Sequence, residues 1–236
     1  MAYSNSNTRN FEQQLLRIVT EVFNNKKNGI EEYLRQINSS VTLSMNKAVL
    51  YKDIKDALDF NGIPSSFIGV LTDKGLNKTS TTDGGVISVN VNGISLPLAW
   101  FECKLQNCSS SYHHTRGQAS GLISEPALRC RVWASALDNK VKPFVAFMKG
   151  DDFNPDNGIY NINRIQIDLQ TEGNVSPYEN DNGIGVSWFF FKEDFSDDEM
   201  RGLIEMVIDT NVSKIKEVLE NKFNEHTVQE EAYANR

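Results

Sequence analysis

The stretch Thr82-Asp83-Gly84-Gly85-Val86-Ile87-Ser88-Val89-Asn90-Val91-Asn92-Gly93-Ile94-Ser95-Leu96-Pro97-Leu98-Ala99-Trp100-Phe101-Glu102-Cys103-Lys104 decides the fold. Val86, Ser88 and Asn90 alternate with Ile87, Val89 and Val91, which is strand periodicity. Asn92-Gly93 is a strong two-residue hairpin signal, because these residues tolerate the positive φ that a twist-matched turn needs. Ile94 to Leu105 then reads as the return strand. With so tight a turn, Asp83 falls opposite Glu102, to within about two residues of register. Strand alternation puts Glu102 and Lys104 on one face and Cys103 on the other.

Two carboxylates and a lysine gathered at one hairpin end suit a divalent-metal site beside a phosphate. Phosphodiester hydrolysis needs neutralised charge on the phosphate, an activated water and a stabilised leaving alkoxide. Mg²⁺ takes few protein ligands, so Asp83, Glu102 and the Cys103 carbonyl are the expected ligand set. Lys104 would orient or deprotonate the attacking water and balance charge. Gly84-Gly85 frees the backbone beside the first acid. Glu102 lies at the end of the apolar run Leu98-Ala99-Trp100-Phe101, where a carboxylate is costly without a purpose.

Outward from the hairpin, the pattern is that of an α/β protein. Phe11, Leu15, Ile18 and Val22 predict a helix over 8–23, which Asn24-Asn25-Lys26-Lys27-Asn28-Gly29 would stop. A second short helix is expected over 30–37 and a third over 51–60, with Ile54 and Leu58 inward and Asn61-Gly62-Ile63-Pro64 as its end. From Ser66 the period changes, with Phe67 to Leu71 a short apolar run. Gln106 to Ile123 reads as a polar loop or arm. Ser124-Glu125-Pro126 starts a helix that runs to about Asp138, with Leu128, Val132 and Ala136 buried. Phe144 to Met148, Ile165 to Leu169 and Val186 to Phe191 read as strands, and 171–185 as a loop. Ser196-Asp197-Asp198-Glu199 is a capping box opening a helix to about Phe223, beyond which the tail is polar and expected to fray. No repeat or low-complexity linker divides the chain, so one domain of 236 residues is expected, with N-terminal helices over 8–60 and a catalytic core over 66–223. A central mixed sheet of about five strands flanked by helices follows.

Net charge is −7 and the pI about 5.1, which excludes nucleic-acid binding through overall basicity. The span Glu102 to Lys149 differs: seven basic residues stand against three acidic ones. That local excess lies just downstream of the two acids, where a phosphate backbone would need it. Arg116 and Gln118 in the arm, and Arg129 and Arg131 on the helix, are the residues expected to reach DNA. Arg129 and Arg131 suit a subunit contact or solvent equally well. His113-His114 reads as an exposed pair, Asp151-Asp152 as a turn, and Trp133 and Trp188 as core. Three cysteines, Cys103, Cys108 and Cys130, match no zinc spacing and no disulfide framework. With a polar start and no apolar run of about 18 residues, a cytoplasmic protein outside the membrane is expected.

Asp83-Gly84-Gly85, the spacer and Glu102-Cys103-Lys104 resemble the PD-(D/E)XK nuclease superfamily, above all its EcoRI-like type II restriction endonucleases. The resemblance covers roughly residues 80 to 153 and includes the arm, the helix and the strand Phe144-Val145-Ala146-Phe147 ending at Lys149-Gly150. It implies a restriction-endonuclease-like fold in which Asp83 and Glu102 bind Mg²⁺ and Lys104 is the catalytic lysine. It also implies a homodimer cutting double-stranded DNA at a short specific site. A structure-specific or repair nuclease of the same superfamily, and a DNA-binding protein without catalysis, are the alternatives. An acid of the first helix often completes such sites, and Glu12 and Glu21 are the candidates. Thr82 stands where the family usually has proline, which is not a ligand. The family's base-reading Glu-Arg pair has no counterpart, since Pro126 follows Glu125, so no recognition sequence carries over.

Overall fold

The computed structural model describes residues 5–64, 66–73, 75, 77–105, 126, 128–138, 140–149, 187–191 and 196–234. These form a mixed α/β unit. The helices are α1 (Asn5–Arg35), α2 (Tyr51–Phe60), α3 (Ser66–Asp73), α4 (128–134) and α5 (Asp197–Ala234). The strands are β1 (Thr42–Val49), β2 (Ser80–Val91), β3 (Ile94–Leu105), β4 (Phe144–Lys149) and β5 (Ser187–Phe191). They lie in the order β1-β2-β3-β4-β5. The first three pair antiparallel, and β4 and β5 run parallel to β3.

The hairpin forms as its sequence requires. Asn92 and Gly93 take φ of 51° and 81°, the left-handed pair of a primed turn. Pairing runs from Val91↔Ile94 to Gly85↔Phe101, with one register shift between Ile87 and Ser88. Ser88 faces Pro97 and Ile87 faces Ala99, so Leu98 is the extra residue of a β-bulge.

Elsewhere the chain departs from its local signals. The expected helices over 8–23 and 30–37 are one helix, α1, and 24–29 does not stop it. Gly29 costs about 1 kcal/mol in a helix interior. Against that, Leu15, Ile18, Val19, Val22 and Leu34 of α1 are all fully buried, each worth about 1.5–3 kcal/mol. Lys26 also pairs with Asp209 of α5 at 2.8 Å. The segment after α1 supplies β1, a strand the sequence pattern did not announce, so the N-terminal region is not all helix. Its Leu43 and Val49 are buried, and the Leu43 N–H donates to the buried Glu31 carboxylate at 2.8 Å. The apolar run 67–71 is helical, in α3, rather than part of the strand pattern.

α2 keeps its expected limits, with Ile54, Ala57 and Leu58 buried. α4 passes into a 3₁₀ turn (Ser135–Leu137), which stops at Asp138 with φ of 51°, the expected end. The capping box holds: the Glu199 N–H donates to Ser196 Oγ at 3.2 Å, and the Ser196 N–H donates to Glu199 Oε2 at 3.0 Å. α5 continues past 223 to Ala234, where a frayed tail was expected. The expected strand over 165–169 and loop over 171–185 lie outside the described residues, as do Arg116, Gln118, His113, His114, Cys108, Asp151 and Asp152.

α1 and α5 pack on each other and against the sheet, and α2 packs on β3. One apolar core joins them, with Trp100, Phe101, Phe144 and Phe147 of β3 and β4 fully buried. Trp133 of α4 is core as expected, and its indole N–H donates to the Ser95 carbonyl at 3.0 Å. No described helix is long and apolar enough to cross a membrane.

Candidate functional site

Asp83 and Glu102 meet at the open end of the hairpin. The Asp83 N–H donates to Glu102 Oε2 at 3.2 Å, and the Cys103 N–H donates to Asp83 Oδ2 at 3.4 Å. The two carboxyl groups also share a hydrogen bond. Asp83 therefore touches both Glu102 and Cys103, within the register expected from the turn. The Cys103 thiol lies 4.0 Å from Asp83 Oδ2. Gly85, two residues after Asp83, takes a φ of 90°.

The glycine pair has a second duty. A Cβ at Gly84 would lie 2.7 Å from Leu15 Cδ2 and 2.7 Å from Phe101 Cβ. Only a residue without a side chain lets α1 approach the strand here. Gly84→Ala is expected to destabilise the fold by about 1–3 kcal/mol, as overpacking does. The measurement is the urea midpoint with the slope of the transition compared. An unchanged midpoint would show that Leu15 moves aside freely.

Glu102 is only 4% exposed. Its other oxygen, Oε1, accepts the indole N–H of Trp100 at 2.7 Å. Burial, then the charge of Asp83, push the Glu102 carboxyl up to about 8, against the pull of the Trp100 hydrogen bond. Cys130 on α4 is within reach of the same charge: burial first, then Glu102, push its thiol well up. Glu102 thus has Trp100 on one oxygen and the Asp83 N–H on the other. Trp100 was not foreseen as part of the site. The signal was present, since a residue two before Glu102 on a strand shares its face.

Lys104 follows Glu102 by two residues on β3, at the register position opposite Met148. Of the two helix acids, Glu21 is engaged elsewhere. Arg201 and Arg17 hold its carboxylate at 2.7 and 3.0 Å, and those contacts, Arg201's first, keep it below the usual carboxylate range. Glu12 lies one turn before Leu15 and Leu16, the α1 residues beside Gly84 and Gly85.

The expected DNA contacts divide. Arg129 is 6% exposed, and its guanidinium donates to the Lys78 carbonyl at 3.1 Å. That hydrogen bond ties α4 to the segment leading into β2, where the side chain is closed to a phosphate in solvent. Arg131 is half-buried, and burial lowers its guanidinium pKa. Among the described residues, no group of three or more His, Cys, Asp or Glu side chains forms a metal cluster. The hard oxygen donors at the hairpin end are the Asp83 and Glu102 pair.

Compared with models of protein families, the chain matches none, and no curated protein matches it in sequence.

Proposed function

We propose that this chain is a Mg²⁺-dependent endodeoxyribonuclease of the restriction-endonuclease-like fold, cutting double-stranded DNA at a short specific site as a cytoplasmic homodimer. The observation that carries the reading is the pair of carboxyl groups, Asp83 and Glu102, pressed together at the mouth of a hairpin whose next polar strand residue is Lys104. Two acids sharing a hydrogen bond in a buried setting cannot both ionise cheaply. A divalent cation is the chemical partner that lets them do so, and two hard oxygen donors suit Mg²⁺.

Asp83 and Glu102 would hold the ion, with the Cys103 carbonyl beside them. Bound there, Mg²⁺ supplies charge neutralisation on the scissile phosphate and a more acidic water. The chain's own groups do the rest. Trp100 and the Asp83 N–H fix the Glu102 carboxylate in orientation, each using one of its oxygens. Lys104 orients the attacking water and offsets the negative charge that builds on the phosphate. Arg116, Gln118 and Arg131 carry over as DNA contacts; Arg129 serves the fold. A two-fold dimer matches a palindromic site, with each subunit cutting one strand.

The test is digestion of plasmid DNA with Mg²⁺ or with EDTA. Discrete fragments with Mg²⁺ support a site-specific enzyme. A smear points to a structure-specific or repair nuclease. No cleavage of any DNA in Mg²⁺ or Mn²⁺ overturns the catalytic reading in favour of DNA binding alone.

A further inference from the structure

We infer that Asn211 is a positioning residue: from α5 it holds the β-bulge at Leu98, and so fixes the register in which Trp100 and Glu102 face Asp83. The inference rests on the nuclease reading only for what that register serves.

Asn211 is 3% exposed on a helix face otherwise lined by Ile204, Ile208, Val212, Ile215 and Leu219. A buried amide in such a stripe is costly unless every polar atom is used. Here the amide is fully engaged. Nδ2 donates to the Leu98 carbonyl at 2.9 Å and to the Lys142 carbonyl at 3.1 Å, and Oδ1 accepts the Lys142 N–H at 3.4 Å.

The partners are what give this meaning. Leu98 is the residue that the register shift between Ile87 and Ser88 leaves without a cross-strand partner. Lys142 leads into Pro143, whose carbonyl accepts the Trp100 N–H at 2.7 Å just before β4 begins pairing. One side chain therefore pins both the extra residue of β3 and the lead-in of the strand beside it.

Because side chains alternate, a one-residue slip exchanges the faces of everything downstream. Upstream of Leu98 lies Ser95, the acceptor of Trp133; downstream lie Trp100 and Glu102. If the bulge closed, the place of Glu102 opposite β2 would pass to a neighbour, and the Trp100–Glu102–Asp83 chain of hydrogen bonds would break. Bulges beside functional sites re-aim side chains in this way. The inference adds what keeps this one in place.

The two tryptophans flank the bulge and report on each side of it. The experiment compares indole N–H resonances of ¹⁵N-labelled wild type and Asn211→Leu, without metal or DNA. The Trp100 and Trp133 peaks are assigned by Trp100→Phe and Trp133→Phe. In a folded Asn211→Leu protein, the Trp100 peak is expected to leave its carboxylate-bonded position while the Trp133 peak stays. Mn²⁺ affinity, measured by calorimetry, is expected to fall at least tenfold. Asn211→Ser, which keeps one donor, should give a smaller displacement of the same peak.

A Trp100 peak that stays put in a folded Asn211→Leu protein overturns the proposal. So does movement of both peaks together, or failure of both variants to fold, since Asn211 would then serve the fold as a whole. If the Trp100 peak alone moves but wild type cuts no DNA, the register role stands and the nuclease reading falls.

Discussion

Replacing Glu102 by glutamine is expected to stabilise the metal-free protein above pH 8 and to abolish Mg²⁺-dependent DNA cleavage. The two effects come from one cause. In the folded chain the Glu102 carboxyl titrates near 8, because burial and then Asp83 oppose its charge. In the unfolded chain it titrates near the ordinary 4.5. Between those values the folded state holds a proton that the unfolded state has released, so stability falls as pH rises from about 4.5 to about 8. Each pH unit of that window is worth about 1.4 kcal/mol, a ceiling of roughly 5 kcal/mol. Even half of that is about 2 kcal/mol, or about 5 °C in Tm for a chain of this length.

Glutamine carries no charge at any pH. Its amide oxygen can accept from Trp100 and its NH₂ can donate to the Asp83 carboxylate, while the Asp83 N–H loses the acceptor that Glu102 Oε2 supplied, a cost that does not vary with pH. Thermal melts in EDTA should therefore show the wild type falling relative to the variant as pH rises from about 4.5 to about 8, with the variant's advantage largest at pH 8 and above. A wild-type melting temperature flat from pH 6 to 9 would sink this account of Glu102. Metal binding reverses the sign for wild type. An ion needs both acids deprotonated, so Mg²⁺ affinity should climb with pH through about 8, with uptake of metal and release of a proton measured together by calorimetry in buffers of different ionisation enthalpy. Glu102→Gln should show neither.

The hairpin was legible because its information is local. Asn92-Gly93 has one favoured turn, and the turn sets the register to within a bulge. Asp83 and Glu102 could thus be brought together on paper from a turn type and a residue spacing. The bulge was read less well: Pro97 beside Leu98 is its one local signal, and the Asn211 amide that bonds the Leu98 carbonyl comes from a helix more than a hundred residues later.

The helix boundaries failed through tertiary override. Six consecutive polar, basic and glycine residues at 24–29 are an ordinary stop signal, and in isolation they would end a helix. α1 continues because residues on both sides of that stretch, Val22 and Leu34, are buried in the same core. β1 was missed because its burial is irregular: Leu43 and Val49 are buried while Asn46 and Lys47, side by side, are both exposed, around a register shift in its pairing with β2. The same distance from local signals hid Arg129. Its sequence position on a helix beside a basic stretch suggests a phosphate contact, whereas its guanidinium lies buried on the Lys78 carbonyl.

Lys104→Ala is expected to lower the cleavage rate by at least about 10³-fold, on the scale of losing a positioned proton-transfer and charge-stabilising group together. DNA affinity measured in Ca²⁺, which commonly replaces Mg²⁺ in binding without supporting the chemistry, should change less than about tenfold, since one phosphate-facing cation among several accounts for roughly 1 kcal/mol. Lys104→Arg separates the two duties of the lysine. An arginine keeps the charge, yet it stays protonated throughout the accessible pH range. If Lys104 acts mainly by charge, Arg should restore most of the rate. If the lysine moves a proton, Arg should remain as slow as Ala, and the rate of the wild type should rise with pH where that of the variant is flat. The comparison has force because of where Lys104 stands. It follows by two residues the one strand acid that is buried, hydrogen-bonded on both oxygens and held near neutrality by a second acid. A lysine two residues from Glu102 on β3 suits a site that receives a phosphodiester, whose charge it would offset. Full cleavage by Lys104→Ala would remove that role and the catalytic reading with it.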